Sequence, residues 1–419
     1  SMLLLGAVCA HCFTEIGVGN NLNAESGLAL QTHGMEDRVG RYSQGRETPA
    51  RGNNKERGGA STPDHFPPII SIDLDRPPMQ RWVSIVPRFN ASLHAAIAAF
   101  KADRVAYALL LSAADALLTV RRASDFLPPD ELSELSSIAA IAAIPIGTLV
   151  ALNGFYDLTA SRKTSSRACT SIVAQSADGA VVHGRNLDYG LRAAMLNVTV
   201  VAEWRRNGRL LFTSVGFVGT VGFNTVLRHG SWSLSHDERD QGPLVANFID
   251  LFLRHRVATF SMIRHVAEKA GTYTEAVAAV AAARLDAPSY FVIAGTQPGE
   301  GAIITRSRDA DAGVYALDVP LGRWYVLETN YDLWVPPAHG DDRRHPAARA
   351  LADLGPGGVT SDSLLAVLSS RRCNRSAGER PVLNSETVYT TVMQPAKSGS
   401  GAFTTILRTE QRSDECEAS

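Results

Sequence analysis

SSRACTSIVAQSADGAVVHGRNLDYG, Ser165 to Gly190, is the stretch on which the reading of this chain turns. Cys169 is followed by Thr170-Ser171-Ile172-Val173-Ala174, which is β-prone. Ser176-Ala177-Asp178-Gly179 has turn chemistry, and Ala180-Val181-Val182-His183 runs back, so the pattern predicts a β-hairpin. Centring the turn on Ala177 and Asp178 sets Cys169 across from about Asn186, with Arg185 and Asp188 a step or two away. Cross-strand Cβ atoms lie about 4.5–5.5 Å apart, so these groups converge at one strand end. A cation beside a thiol favours the thiolate. A carboxylate beside an amine holds the amine charged or orients it. That pairing has a purpose if Cys169 is a chain terminus. A cysteine with a free α-amine, titrating near ~7.7–8.0, carries nucleophile and base in one residue. The competing reading is a buried, inert cysteine at the start of a strand.

Working outward, the texture of the chain changes at Cys169. Before it, a strand around Ile69 to Leu74 precedes an Ala-rich helical region over Ser92–Ala123, a helix over Pro129–Ala143 and a further stretch over Ile146–Leu158. After it come strand-like runs such as LNVTVVAEW, LLFTSVGFVGTVGF, SWSLSHDE, SYFVIAGT, GAIITRS, GVYALDV, RWYVLETNYD and VYTTVMQ. Helical patterns lie between them in GPLVANFIDLFLRH, MIRHVAEKA and TYTEAVAAVAAARL. Strands on both sides of a helical pair predict an α+β sandwich of layered sheets. Residues 1–63 differ from both parts. Met2 to Cys12 is a short apolar run that reads equally as the remnant of a secretory signal or as an apolar tail. Gly17 to Pro63 is polar and Gly-rich, without the apolar surface needed to offset ordering entropy.

Composition excludes several classes of function. Net charge is −1 over 419 residues, so nothing advertises nucleic acid or an electrostatic membrane patch. No run approaches the ~20 apolar residues of a spanning helix. The five cysteines (Cys9, Cys12, Cys169, Cys373, Cys416) are too scattered for a disulfide scaffold. Cys9 and Cys12 lack a second pair at zinc-ligand spacing, and no metal site is expected. Sequons at Asn90, Asn197 and Asn374 permit a secretory route.

Two later segments add to the hairpin. RWYVLETNYDLW ends a strand at Glu328-Thr329-Asn330-Tyr331-Asp332, and an uncharged amide such as Asn330 suits an oxyanion donor. GDDRRHP follows with Arg343 and Arg344 beside acids.

The passages CTSIVAQ, HGRNLDYG, DERDQG, GEGAIITRSRD, GRWYVLETNYDLW, DDRR and VYTTVM occur in this order between about Ile70 and Arg408. Through them the chain resembles the N-acylethanolamine acid amidase and acid ceramidase family of N-terminal-nucleophile hydrolases. The resemblance implies an αββα sandwich, with a mostly helical α chain over 64–168 and a catalytic β chain over 169–419. It also implies a precursor that cuts itself between Ala168 and Cys169 and stays together as an α/β heterodimer. Cys169 is then the nucleophile and its α-amine the base. Arg185 and Asp188 orient this terminus, Asn330 supports the oxyanion, Arg343 closes the charged network, and Glu238 of DERDQG matches a further active-site position. The implied reaction is lysosomal hydrolysis of fatty acyl amides of amino alcohols, N-acylethanolamines such as palmitoylethanolamide, without metal or organic cofactor. The alternatives are ceramide hydrolysis, another fatty amide, or an uncleaved lipid-binding relative. Work at acid pH implies that Arg185 and its neighbours lower the thiol pKa. A lipid substrate implies transient membrane contact, for which the candidates are Leu244, Val245, Phe248, Ile249, Leu251 and Phe252 with Arg254, His255 and Arg256, and the helix around Tyr107 to Leu118. Two departures bear on the branch. DERD carries Asp237 where ceramidases tend to carry Asn, and the half before Cys169 has only Cys9 and Cys12, so no disulfide between the chains is expected. RCNRSAGER after Ser370 is unusual, and Cys373 reads as a free thiol.

Overall fold

The computed structural model describes residues 65–103, 127–154, 169–241, 258–309, 311–410 and 413–417. All of them belong to one compact unit, Asp64–Ser419. The predicted tail (1–63), the stretch around Tyr107 to Leu118, Ala168, and the apolar segment from Leu244 to Arg256 lie outside the described residues. In chain order the elements are β1 (Ile69–Asp73), α1 (Val86–Asp103), α2 (Pro129–Ala142), α3 (Ile146–Asn153), β2 (Cys169–Gln175), β3 (Val181–Asp188) and α4 (Arg192–Leu196). Then come β4 (Thr199–Arg206), β5 (Arg209–Phe217), β6 (Thr225–Arg228), β7 (Trp232–Glu238), α5 (Thr259–Lys269), α6 (Tyr273–Ala282), β8 (Ser289–Gly295), β9 (Gly301–Arg306) and β10 (Asp311–Ala316). The chain continues through β11 (Tyr325–Glu328), α7 (Arg344–Leu354), α8 (Ser361–Leu368), β12 (Thr387–Met393) and β13 (Phe403–Leu407).

These strands build two sheets. One has eight strands in the order β1-β4-β5-β6-β7-β8-β9-β10, the other five in the order β11-β2-β3-β12-β13. Alternation along β2 and β3 assigns their side chains to two layers. Val173 and Val181 meet Tyr290, Val292 and Ala294 of β8 between the sheets. Ile172, Ala174 and Val182 face outward onto Leu351 of α7 and Leu364 and Leu368 of α8. On the far side, Trp204, Phe212, Leu234, Phe291 and Ile293 pack against Ile263 and Val266 of α5 and Val280 of α6. The result is a four-layer αββα sandwich. The described residues before Cys169 belong to it. Leu93, Leu135 and Leu149 of α1, α2 and α3 join the same apolar cluster, and β1 pairs in parallel with β4 from Ile69↔Val201 to Asp73↔Arg205.

The hairpin forms as expected but one residue out of the expected register, Cys169 pairing with Leu187. The loop is three residues long, not two. The Ser176 N–H donates to the Ala180 carbonyl at 2.9 Å, and Gly179 supplies the left-handed turn position at φ 92°. A shift of one residue changes which side chains share a face. Cys169, Ser171, Arg185 and Leu187 therefore point between the sheets, whereas Asn186 and Asp188 lie on the opposite face. At Gly184 an added Cβ would fall 2.7 Å from Leu368 Cδ1, so this glycine lets α8 settle onto the sheet.

Cys373 is not a free thiol. It forms a disulfide with Cys416, with a Cα–Cα distance of 5.1 Å. The sequence spacing of 43 residues hid this pair, because β12 and β13 between them return the C-terminal segment to the insert. That segment is held further by Arg371, which donates to the Ser413 carbonyl at 3.1 Å, and by Asp414, which accepts from the Ser385 N–H at 2.8 Å.

Candidate active site

Cys169 opens β2 in a wholly buried strand. Its thiol lies 3.3 Å from Arg185 Nη2. It also receives the backbone N–H of Asp188. The guanidinium is buried and fixed on its other edge. Nη1 donates to the Thr225 hydroxyl at 2.6 Å and the Tyr389 hydroxyl at 3.3 Å, and Nη2 donates to the His236 carbonyl at 3.4 Å. That same Nη2 stands 3.5 Å from Asp237 Oδ1. In this uncut chain the thiol pKa is not lowered. Burial pushes it up to about 12, and the Arg185 charge opposes that rise without overcoming it. Burial therefore favours the protonated thiol over the thiolate at this position.

Asn330 reaches Cys169 from the neighbouring strand. The β11–β2 register runs Tyr325↔Ala174 to Glu328↔Ser171, and continuing it sets residue 330 opposite Cys169. Here the backbone adopts φ 70°, a left-handed conformation that Asn tolerates better than most residues. The Cys169 N–H donates to Asn330 Oδ1 at 2.5 Å, and Asn330 Nδ2 donates to the Glu238 carbonyl at 2.8 Å. Nδ2 carries two protons, so that bond uses only one of them. Glu238 thus meets Asn330 through its main chain, while its carboxyl is buried.

Arg343 closes the other side. It donates to the Cys169 carbonyl and to the Thr329 carbonyl. It also reaches Asn330 Oδ1 at 3.2 Å and pairs with Asp341 at 3.4 Å. Arg344, its neighbour, serves the loop instead, donating to the carbonyls of Tyr331, Asp332 and Val335. Asp188 accepts from Asn384 Nδ2 at 2.6 Å. Its Oδ1 is buried with no hydrogen-bond partner among the described residues. Burial raises the Asp188 carboxyl pKa above the ordinary range, and the Arg343 and Arg380 charges resist this. Cys169, Arg185, Asp188, Asn330, Arg343 and the Glu238 main chain are therefore brought together at one end of the smaller sheet.

Several residues of the site carried no signal in the reading of single motifs. Ser171, Thr225, Tyr389 and Asn384 become neighbours of the thiol only through sheet stacking and register. Asp237 is legible as a departure within DERDQG and Asp341 as an acid beside Arg343, but neither is placed in the site by the sequence.

An apolar cavity adjoins the thiol. Leu93 and Phe100 of α1, Leu187 and Tyr189 at the end of β3, Phe217 and Phe260 help to line it. Leu187 is the cross-strand partner of Cys169, so the cavity wall is one side chain from the sulfur. Elements from before Cys169 form much of that wall.

The model of the linear amide C–N hydrolases, choloylglycine hydrolase family, matches residues 169–374, beginning at Cys169. An N-acylethanolamine-hydrolyzing acid amidase of Oryctolagus cuniculus is 35% identical over 80% of this chain and 88% of its own length. The human acid ceramidase is 32% identical over 81% of this chain and 86% of its own. The solved structure of a Caenorhabditis elegans N-acylethanolamine-hydrolyzing acid amidase ortholog superposes with a TM-score of 0.51 at 36% identity, covering 57% of this chain and 99% of that one. With that fold and these relatives, the chain belongs to the N-acylethanolamine acid amidase and acid ceramidase family of N-terminal-nucleophile amide hydrolases.

Proposed function

We propose that this protein is an acid amidase that hydrolyses N-acylethanolamines to a fatty acid and ethanolamine after cutting its own chain between Ala168 and Cys169. The observation that carries the reading is the double engagement of Cys169. Its nitrogen is held by Asn330 and its sulfur by Arg185, at 2.5 and 3.3 Å, and the family match begins at this residue. In the precursor the thiol attacks the carbonyl of residue 168 and the Cys169 nitrogen leaves. This frees the α-amine and leaves a thioester on the sulfur, and water then hydrolyses the thioester to free the thiol and the carboxylate of residue 168. Asp188, whose buried Oδ1 has no partner among the described residues, is the acceptor for that amine. On substrate, the amine takes the thiol proton as sulfur attacks the amide carbonyl. The second Asn330 N–H and the Arg185 charge stabilise the developing anion. The amine returns the proton to the leaving nitrogen, and water releases the fatty acid from the thioester.

The acyl chain lies in the cavity beside Leu187, whose lining is mostly apolar. The two products of the cut stay together because β1 remains paired with β4. A buried ion cluster adds to this: Glu134 accepts from Arg81 at 2.7 Å on the α side and from Arg264 at 2.6 Å on the β side. The Cys373–Cys416 disulfide supports passage through an oxidising compartment on the way to the lysosome, as do the exposed sequon residues Asn197 and Asn374. A lipid substrate also calls for transient contact with a membrane surface.

Intact mass analysis after incubation near pH ~4.5, within the carboxylate range, tests the reading. Two fragments meeting at Ala168/Cys169, absent in Cys169→Ala, support it, and a wild-type chain that stays whole and inactive overturns it. Matched assays with palmitoylethanolamide and ceramide decide the substrate, a preference for ceramide assigning the chain to the ceramidase branch of its relatives.

A further inference from the structure

One guanidinium nitrogen serves two acidic groups here. Arg185 Nη2 lies 3.3 Å from Cys169 Sγ and 3.5 Å from Asp237 Oδ1. Asp237 is fully buried between the sheets. It accepts from the Ser171 hydroxyl at 2.9 Å, and its Oδ2 has no hydrogen-bond partner among the described residues. Ser171 accepts in turn from Ser235 at 2.8 Å, and Ser235 touches His183 Nε2 at 2.9 Å. The carboxyl is thus buried, with a single cation in contact among the described residues, and that cation is the one facing the nucleophile.

We propose that Asp237 is a positioning residue that withdraws Arg185 from the sulfur when it ionises and releases it when protonated, so that thiolate formation gains nothing further from a rise in pH once Asp237 has ionised. The inference rests on the reading of Cys169 as nucleophile. The groups around Asp237 are consistent with this role. Cys169 faces it from β2 and Arg185 and neutral His183 from β3, while Asp188, on the other face of that strand, acts on it through its charge. Glu328 faces it from β11, Arg343 from the start of α7, Tyr389 from β12 and Tyr290 from the adjacent β8. Burial pushes the Asp237 carboxyl up to about 6, with Arg185 resisting. It pushes Glu328 up to about 8 and depresses His183 to about 3. Around pH 6 Asp237 therefore changes charge, with Glu328 still protonated and His183 already neutral. Asp188, also raised by burial, is present in wild type and variants alike, so their ratio reads Asp237.

The consequence has a definite form. Protonated Asp237 beside a thiolate, and ionised Asp237 beside a thiol, hold the same number of protons. Their ratio cannot depend on pH. The reactive population in the wild type rises with pH only until Asp237 ionises, then levels off. In Asp237→Asn the thiolate has no rival and keeps rising.

The test is the rate of precursor self-cleavage across pH ~4–8 in the wild type, Asp237→Asn and Ser171→Ala, followed by intact mass. The ratio of the Asn variant to wild type is expected to be flat below about pH 6 and to climb toward tenfold per unit above it. Ser171→Ala removes a donor to the carboxylate, which raises the Asp237 pKa. Its ratio should rise over the same range to a plateau of about tenfold. Ratios that stay constant across the range, or that rise toward acid, overturn the proposal. If Asp237→Asn fails to fold, the serine variant decides. If the wild type is never cleaved, the reading of Cys169 fails instead, and the same pH ratios of Cys169 alkylation by iodoacetamide decide the role of Asp237.

Discussion

Replacing Arg185 by Gln removes the cation nearest the sulfur and leaves a polar side chain in its place. Unit charges 3.3 Å apart attract by about 5 kcal/mol at an effective dielectric of ~20. The guanidinium spreads its charge over three nitrogens and shares it with Asp237, so roughly 3 kcal/mol of that reaches a thiolate, a factor of about a hundred or more. Burial already holds the thiol at about 12, and the substitution pushes it higher. Loss of one partner from a buried pair ordinarily costs several kcal/mol, because the other charge is stranded. Here that cost is avoided at acid pH, where Asp237 takes up a proton. Self-cleavage followed by intact mass near pH ~4.5, in the carboxylate range, should therefore be slowed at least a hundredfold in a folded protein. Arg185→Lys should recover part of the rate. It keeps the charge but cannot satisfy the Thr225 hydroxyl and the His236 carbonyl together as the planar fork does. An Arg185→Gln chain that cleaves within about fivefold of wild type, while Cys169→Ala is inert, would refute the electrostatic argument.

Asn330→Gly keeps the φ 70° backbone available and removes only the amide. Palmitoylethanolamide turnover should fall about 10²–10³-fold. The melting temperature should be lowered as well, because the Cys169 N–H and the Glu238 carbonyl lose their partner; a folded variant with near-normal turnover would contradict the assigned role. Replacing both Cys373 and Cys416 by Ser opens a loop closed over 43 residues, worth up to about 4 kcal/mol by chain entropy. Denaturant midpoints should fall accordingly, and trypsin should reach the C-terminal segment sooner. Glu134→Gln leaves Arg81 and Arg264 buried without their shared carboxylate. Cleaved protein should then release its α chain on gel filtration in moderate denaturant, where wild type does not. Stability measured by urea unfolding should fall as pH rises from about 6.5 to 8.

How much of this was legible beforehand depended on the range over which each feature is determined. The strands of VYTTVMQ, SYFVIAGT and GAIITRS were readable because their patterns are local, and so was the change of texture at Cys169. The register of the hairpin was not. Whether Gly179 belongs to a two- or three-residue loop hangs on one left-handed residue, yet it decides that Arg185, and not Asn186 or Asp188, shares a face with the sulfur. The helices α7 and α8 were also missed. RHPAARALADL opens with charge and a proline, and SDSLLAVL is short; its start is marked only by the Thr360 and Ser363 capping box. Asp237 could be noted as a departure between two branches of the family, but its distance to Arg185 exists only once two sheets are stacked. Cys373 and Cys416 met the same obstacle, being joined by β12 and β13 and not by spacing.

The same stacking sets the pH at which the fold is most secure. Burial raises the carboxyls of Glu131 to about 7, Asp237 to about 6 and Glu328 to about 8. In the folded chain each holds a proton that the unfolded chain has already released above about pH 4–5. The stability they contribute is thus fully present below that range and is lost as pH rises through the folded values. Buried His183, held near 3, and His236, held well below its ordinary value, act in the opposite sense. They contribute stability above about 6.5 that drains away as pH falls. Between about 4.5 and 6 the two groups work against each other. Above about 6.5 the histidines are neutral in both states and no longer oppose, and Glu131 and Glu328 are left to set the slope. Carboxylates whose pKa is depressed, Asp341 by the Arg343 charge and Asp414 by the Ser385 N–H and then Arg380, bound the other side, since their contribution is lost only at lower pH. A protein built this way loses stability on the alkaline side through groups that include the one proposed to restrain its nucleophile there. Protonating Asp237 both settles a buried charge and frees Arg185 for the sulfur.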